Sequence, residues 1–146
     1  MSVLRVVVMA MVTGCLASCT HTVDENAVAV DPLLQDTVNT RFGDLGVAVM
    51  FVVACSNQVG LARDDPEAER ILIVADLLQN GFSLADIRIA LHRYHSQDMQ
   101  HSNGFESARF VKLLAQYKVD ESDGVCRLAR QLAHQNVGPG AFLVRR

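Results

Sequence analysis

The sequence predicts an all-α fold, a small bundle of four to five helices cross-linked by one disulfide. Three observations support this prediction: apolar residues recur at helical spacing, capping residues precede the apolar stretches, and two cysteines lie in the body of the chain. The length of 146 residues suits one domain, and no repeat or linker divides it. We therefore predict a single helical domain over residues 31–146.

Residues 1–18 resemble a secretory signal peptide. A short start carries one positive charge, at Arg5, and is followed by the apolar run from Val6 to Val12. That run is too short for a membrane span, which needs about 20 apolar residues. This segment is therefore predicted to be removed on export.

The end of the predicted leader contains a candidate lipid attachment site. The segment Leu16-Ala17-Ser18-Cys19 resembles the bacterial lipobox, in which the cysteine is acylated and becomes the mature N-terminus. Cys15 ends a looser version of the same pattern, and cleavage without lipidation is a further alternative. We predict lipidation of Cys19, followed by a flexible polar tether over residues 19–30.

Cys55 and Cys126 are the two cysteines outside the leader. Because an exported domain meets an oxidising environment, this pair predicts one intramolecular disulfide. On the chain-entropy model, closing a loop of this length stabilises the fold by about 4 kcal/mol. Two buried free thiols are the alternative.

Start and stop signals place the helices in order along the chain. Asp31-Pro32 predicts the start of the first helix, and Gly43 and Gly46 are expected to interrupt it. The valine-rich run from Val47 to Cys55 suits a buried strand or a buried helix. We favour a helix, because no comparable strand is available for pairing.

The next two helices form a predicted hairpin. Asp65-Pro66-Glu67 begins one helix, Asn80-Gly81 ends it, and Ser83 with Asp86 resembles a capping box for the other. The stripes predicted to face the core are Ile71, Val74, Ala75 and Leu78 on the first helix and Leu84, Ile87, Leu91 and Tyr94 on the second.

Two further helices follow a polar stretch from Ser96 to Gly104, which is predicted to be a loop. Asn103 and Glu106 indicate the start of one helix, and the acidic turn from Asp120 to Asp123 indicates the start of the other. Their apolar faces comprise Phe105, Ala108, Phe110, Val111, Leu113, Leu114 and Tyr117, and then Val125, Leu128, Ala129, Leu132 and Ala133. The segment Gly138-Pro139-Gly140 is predicted to interrupt regular secondary structure.

Several of these segments resemble a known family. The residues concerned are Cys55, Leu77, Gly81-Phe82-Ser83, Ala85-Asp86-Ile87, Val119, Cys126-Arg127-Leu128-Ala129-Arg130, Gly140, Leu143 and Arg145. Their order over residues 47–146 is similar to that in a family of small exported alphaproteobacterial proteins classed as a domain of unknown function. The resemblance implies a helical, two-cysteine, disulfide-linked exported domain and no particular activity.

A histidine cluster is a weak candidate for a metal site. His92 and His95 share one face of a helix, and Asp98 and His101 follow them. Such side chains can bind zinc or copper. Histidines near a helix C-terminus are also favourable without a metal, so we predict no metal and no other cofactor.

The usual sequence signatures of hydrolases and nucleotide-binding proteins are missing from the chain. Its acidic residues fall mainly where helices start, which capping explains. We therefore predict no catalytic residues and no enzyme. The net charge of −3 argues against nucleic-acid binding.

The arginines are candidates for protein contacts, because arginine is enriched in protein interfaces. The predicted interaction residues are Arg127, Arg130, Arg145 and Arg146. The expected function is that of a noncatalytic accessory subunit, anchored by lipid on the periplasmic side of a bacterial cell envelope, which binds other envelope or membrane proteins. The alternatives are a small periplasmic chaperone and a histidine-based metal protein.

Overall fold

The computed structural model describes residues 29–100 and 104–146 of the chain. Its elements in order are α1 (Pro32–Ala54), β1 (Val59–Leu61), α2 (Pro66–Gln79), α3 (Leu84–Gln100), α4 (Phe105–Gln116), α5 (Ser122–Gln135), a 3₁₀ helix (Gly138–Phe142) and β2 (Leu143–Arg145). The described residues thus contain five α-helices and one two-stranded sheet, which confirms the predicted all-α class. The predicted leader, with Cys15 and Cys19, lies outside the described residues.

The first helix, α1, runs unbroken over 23 residues. Its start matches the prediction, because the Asp31 carboxylate accepts a hydrogen bond of 2.8 Å from the amide of Leu33. The expected interruption at Gly43 and Gly46 is wrong. Both glycines are buried inside the helix, where side chains of α4 lie against them.

The core is built around α1, which contacts the other four helices, the 3₁₀ helix and β1. Its buried side chains are Leu34, Val38, Phe42, Leu45, Val47, Ala48 and Phe51. Among the described residues, α1 is the one helix long and apolar enough to span a membrane, and 44% of its most apolar stretch is buried inside the protein. The packing of α1 is that of a central core helix.

The α2–α3 hairpin begins and turns as its capping signals predict. The Asp65 carboxylate accepts from the amide of Glu67 at 2.9 Å, and Gly81 ends α2 with a φ of 91°. Ser83 Oγ accepts from the amide of Asp86 at 3.1 Å and donates to the Asp86 carboxylate at 2.6 Å. The resulting cap therefore resembles a capping box, with the acid bound to the serine hydroxyl.

The packing face of α2 differs from the prediction. Its buried residues are Glu69, Ile73 and Leu77, whereas Ile71 is 61% exposed and Leu78 is 43% exposed. The helical spacing was identified correctly, but of the stripe chosen from it only Val74 packs against the core, as a partly buried side chain, while Ile71 and Leu78 face outward.

The later helices match their predicted positions with two differences. The loop expected from Ser96 onward is helical as far as Gln100, which lengthens α3. On α4, Phe110, Leu113 and Leu114 are only partly buried, and Val111 is 64% exposed. The stripe of α5 packs as predicted, with Leu128 and Leu132 buried.

Two long-range connections tie the far segment of the chain to the end of α1. The predicted disulfide is present: Cys55 and Cys126 are bonded, with their Cα atoms 5.5 Å apart. The small sheet was not predicted. Its antiparallel strands pair Val59 with Arg145 and Leu61 with Leu143, and the 3₁₀ helix leads into β2.

Candidate functional site

The predicted histidine cluster does not assemble into a metal site in the part of the chain that is described. His92 and His95 both lie exposed on α3, and the ring of His95 packs against that of Tyr94 with 5.5 Å between centroids. The side chain of Asp98 and the whole of His101 lie outside the described residues. No three described histidine, cysteine, aspartate or glutamate side chains gather where a metal could bind.

The four arginines predicted to bind a partner have different surroundings. Arg127 and Arg130 are exposed on α5, and Arg145 is exposed on β2. The guanidinium of Arg146 instead donates to the carbonyl of Ser56 at 3.2 Å and lies against Gly60, so it helps to hold the small sheet. Their role in an interaction stays a prediction.

A partly exposed apolar stripe runs along α2. Ile71 and Leu78 are exposed, and Val74 and Ala75 between them are half-buried; we call these four residues the outer face of α2. Leu84, at the start of α3, adds a further apolar side chain that is 56% exposed. Contiguous apolar surface of this kind commonly marks a site of interaction.

A groove between α2 and α3 adjoins this face. Its cavity has a volume of about 320 Å³ and is lined by Phe42, Glu67, Arg70, Ile71, Val74, Leu91 and His95. We call this the α2–α3 groove. Phe42 of α1 contributes to it from the core, and the exposed ion pair of Arg70 with Glu67 lies on its border, at 3.4 Å. The groove therefore combines an apolar lining with charged groups at its rim.

A second cavity of about 350 Å³ shares Phe42, Glu67, Arg70 and His95 with the α2–α3 groove. It is also lined by Tyr94 and Glu106, and the Tyr94 hydroxyl donates to Glu106 Oε1 at 2.9 Å. The rings of Phe42 and Tyr94 lie 5.8 Å apart. These contacts join α1, α3 and α4 next to the groove.

The buried charges of α1 and α4 form a separate polar contact. Arg109 donates to the Asp44 carboxylate at 2.9 Å and to the carbonyl of Asn39 at 3.0 Å. Burial raises the pKa of Asp44 above its ordinary value, although the Arg109 guanidinium beside it acts in the opposite direction. The guanidinium lies against Gly43, where a Cβ would be 2.7 Å from its central carbon.

Sequence reasoning found the apolar stripe of α2 but assigned it to the core. It gave Gly43 and Gly46 a role as helix interruptions, although they accommodate Arg109 and Glu106. The signal that was missed is a pairing of residue types. Two small residues lie on the buried helix α1, and two charged residues lie on the amphipathic helix α4. Because a glycine has no side chain, a polar side chain from the neighbouring helix can lie directly against its backbone.

Comparison with known proteins identifies no relative: no protein-family model, curated protein or solved structure matches the chain. The likeness to the family of small exported alphaproteobacterial proteins therefore stays a prediction.

Proposed function

We propose that this protein is a noncatalytic accessory subunit of a bacterial cell-envelope complex, and that its α2–α3 groove binds an amphipathic helix of a partner protein. One observation carries the proposal. Ile71 and Leu78 on the outer face of α2 are exposed, although large apolar side chains are more often buried. A partner that covers Ile71 and Leu78 would remove that surface from water.

The spacing of the outer-face residues favours a helical partner. Ile71, Val74, Ala75 and Leu78 occupy positions i, i+3, i+4 and i+7 of α2, which lie on one side of the helix, and Ile71 and Val74 also line the groove. Grooves between helices bind the apolar face of an amphipathic helix in many complexes. Phe42 lines the groove and packs against Tyr94, which is bonded to Glu106, and a wall supported in this way requires little ordering when a partner binds.

The proposed location rests on the disulfide and the leader. A bond between Cys55 and Cys126 is typical of an oxidising compartment such as the periplasm. Mass spectrometry of the N-terminal peptide, taken from native cell membranes, tests the processing. An acylated Cys19 at the mature N-terminus is expected, whereas an unprocessed Met1 would contradict export.

A matched pair of variants tests the binding face. Ile71→Asp places a charge on the outer face of α2, and Val111→Asp places one at an equally exposed site on α4. Tagged proteins are purified from native membranes, and the co-purified proteins are quantified. We expect one stoichiometric partner with the wild-type protein and with Val111→Asp, and its loss with Ile71→Asp.

Two outcomes would contradict the proposed groove. Retention of the same partner by Ile71→Asp would place the binding site elsewhere on the protein. Capture of many unrelated proteins by both variants alike, increasing at acidic pH, would favour the small periplasmic chaperone instead.

A further inference from the structure

A separate cavity of about 430 Å³ lies between α1, α2 and the 3₁₀ helix. It shares no lining residue with the α2–α3 groove. Its charged lining residues are Arg41, Asp44, Arg63 and Glu69, and Ile73 and Phe142 are among the apolar ones. Two positive and two negative side chains thus surround a space that also has an apolar wall.

Glu69 is the unusual member of this set. Glu69 is only 7% exposed, and its Oε1 atom has no hydrogen-bond partner among the described residues. A buried carboxylate oxygen without a donor is costly and is uncommon in native proteins. Asp65 caps α2, and Glu69 stands in the first turn of this helix, where a negative charge is favourable. Glu69 also lines the cavity, so a ligand there can donate a hydrogen bond to its carboxylate.

Arg63 is the complementary group. It lies exposed in the loop between β1 and α2, and it makes no ion pair with any described residue. The other two charged groups are already engaged, since Arg41 pairs with Asp76 and Asp44 pairs with Arg109. The cavity therefore offers one unused anion and one unused cation.

We propose that this cavity binds a free L-α-amino acid. The ammonium group donates to Glu69, the carboxylate accepts from Arg63, and the side chain packs toward Ile73 and Phe142. A zwitterion satisfies both unused charges, whereas a simple anion serves only Arg63 and a simple amine serves only Glu69. The arginine fork suits a carboxylate, and the volume lies within the range of small-molecule sites.

Calorimetric titration of the disulfide-bonded protein with each of the twenty common L-amino acids tests this site. At least one is expected to bind with a Kd below about 1 mM. The N-acetyl derivative of that amino acid lacks the ammonium group, and its amide derivative lacks the carboxylate. Each should bind about tenfold more weakly, because one charged hydrogen bond is lost. Absence of binding by all twenty, or a derivative that binds as tightly as its parent amino acid, would overturn the proposal.

Variants then assign the two contacts. Glu69→Gln and Arg63→Gln should each weaken binding about tenfold, since each removes one charged partner. Asp36→Asn is the matched control, because Asp36 is an exposed carboxylate of α1 outside this cavity, and it should leave the affinity unchanged. An equal loss in Asp36→Asn would overturn the assignment. If Glu69→Gln does not fold, the two ligand derivatives still decide the question on the wild-type protein.

Discussion

Gly140 of the 3₁₀ helix lies against the backbone carbonyl of Leu132 in α5, with no room for a Cβ between them. The obstacle is helix backbone, which cannot rotate away as the end of a flexible side chain can. This close approach lets the 3₁₀ helix pack on α5 and α1 and leads the chain into the buried positions of Phe142 and Leu143.

Gly140→Ala is therefore expected to lower the free energy of unfolding by about 1–3 kcal/mol, the usual cost of overpacking. Urea denaturation followed by circular dichroism measures the change. Ala141→Ser, at the exposed neighbouring position, is the control and should alter stability by less than about 0.5 kcal/mol. Equal midpoints for Gly140→Ala and the wild-type protein would contradict the close approach.

The contact between Glu106 and Gly46 is expected to appear as coupling between two substitutions. Gly46→Ala forces the carboxylate of Glu106 away from α1 and so disturbs its hydrogen bond with Tyr94. In a Glu106→Ala background that obstacle is gone. Gly46→Ala should therefore destabilise the protein less in this background than in the wild-type protein. The difference in the free energy of unfolding should be about 1 kcal/mol, as measured by a double-mutant cycle. Simple additivity of the two substitutions would show that they do not interact.

Loss of the bond between Cys55 and Cys126 should reduce the free energy of unfolding by about 4 kcal/mol, because the unfolded chain regains the freedom of a long loop. The measurement compares denaturation with and without a reducing agent. The Cys55→Ser, Cys126→Ser double variant should match the reduced wild-type protein and show no response to the reductant. A persistent response would mean that the reductant acts elsewhere.

The raised pKa of Asp44 predicts a pH-dependent stability with a definite sign. Because its ordinary value is 3.8 and burial raises it in the folded state, the folded protein retains this proton to a higher pH than the unfolded chain. The stabilising contribution is complete below 3.8 and is lost as the pH rises through the folded-state pKa. As the pH rises from 3.8 through the folded-state pKa, the free energy of unfolding of the wild-type protein should therefore fall relative to that of Asp44→Asn. A relative gain would show that the charge of Arg109 dominates.

Glu69→Met should raise the free energy of unfolding by about 1–3 kcal/mol in the absence of any ligand. The change replaces a buried carboxylate that lacks a hydrogen bond at Oε1 with an apolar side chain of similar length. Thermal and urea denaturation measure the effect. A loss of stability would mean that Glu69 has a compensating interaction within the protein.

Local signals predicted most of the helix starts in this fold. Asp31, Asp65 and Ser83 each accept the backbone hydrogen bond that their positions indicated, because capping depends on residues only two or three apart. The disulfide was also predictable, since two cysteines in a chain predicted to be exported leave few alternatives.

The orientation of α2 could not be derived in the same way. Ile71 and Leu78 define one apolar face of this helix, and Ile73 and Leu77 define another. Periodicity detects both faces, but the choice between them depends on packing against α1 and α3. The candidate binding face was therefore identified by its residues and was assigned to the wrong environment.

The sheet escaped prediction because its strands are three residues long and far apart in the sequence. Val59-Gly60-Leu61 and Leu143-Val144-Arg145 are each too short to show a periodic pattern. Their pairing depends on the fold that brings the end of α1 close to the 3₁₀ helix. Only the assembled tertiary structure supplies that information.

Residues 138–145 cover part of α1 and pair with β1, far from them in the sequence. Such contacts close large loops, so they form late and slow the overall reaction. While the ribosome still holds that segment, α1 lacks part of its cover and the ladder with β1 cannot form. The pairing of β1 with β2 and this part of the cover of α1 can therefore form only after residues 138–145 have left the ribosome.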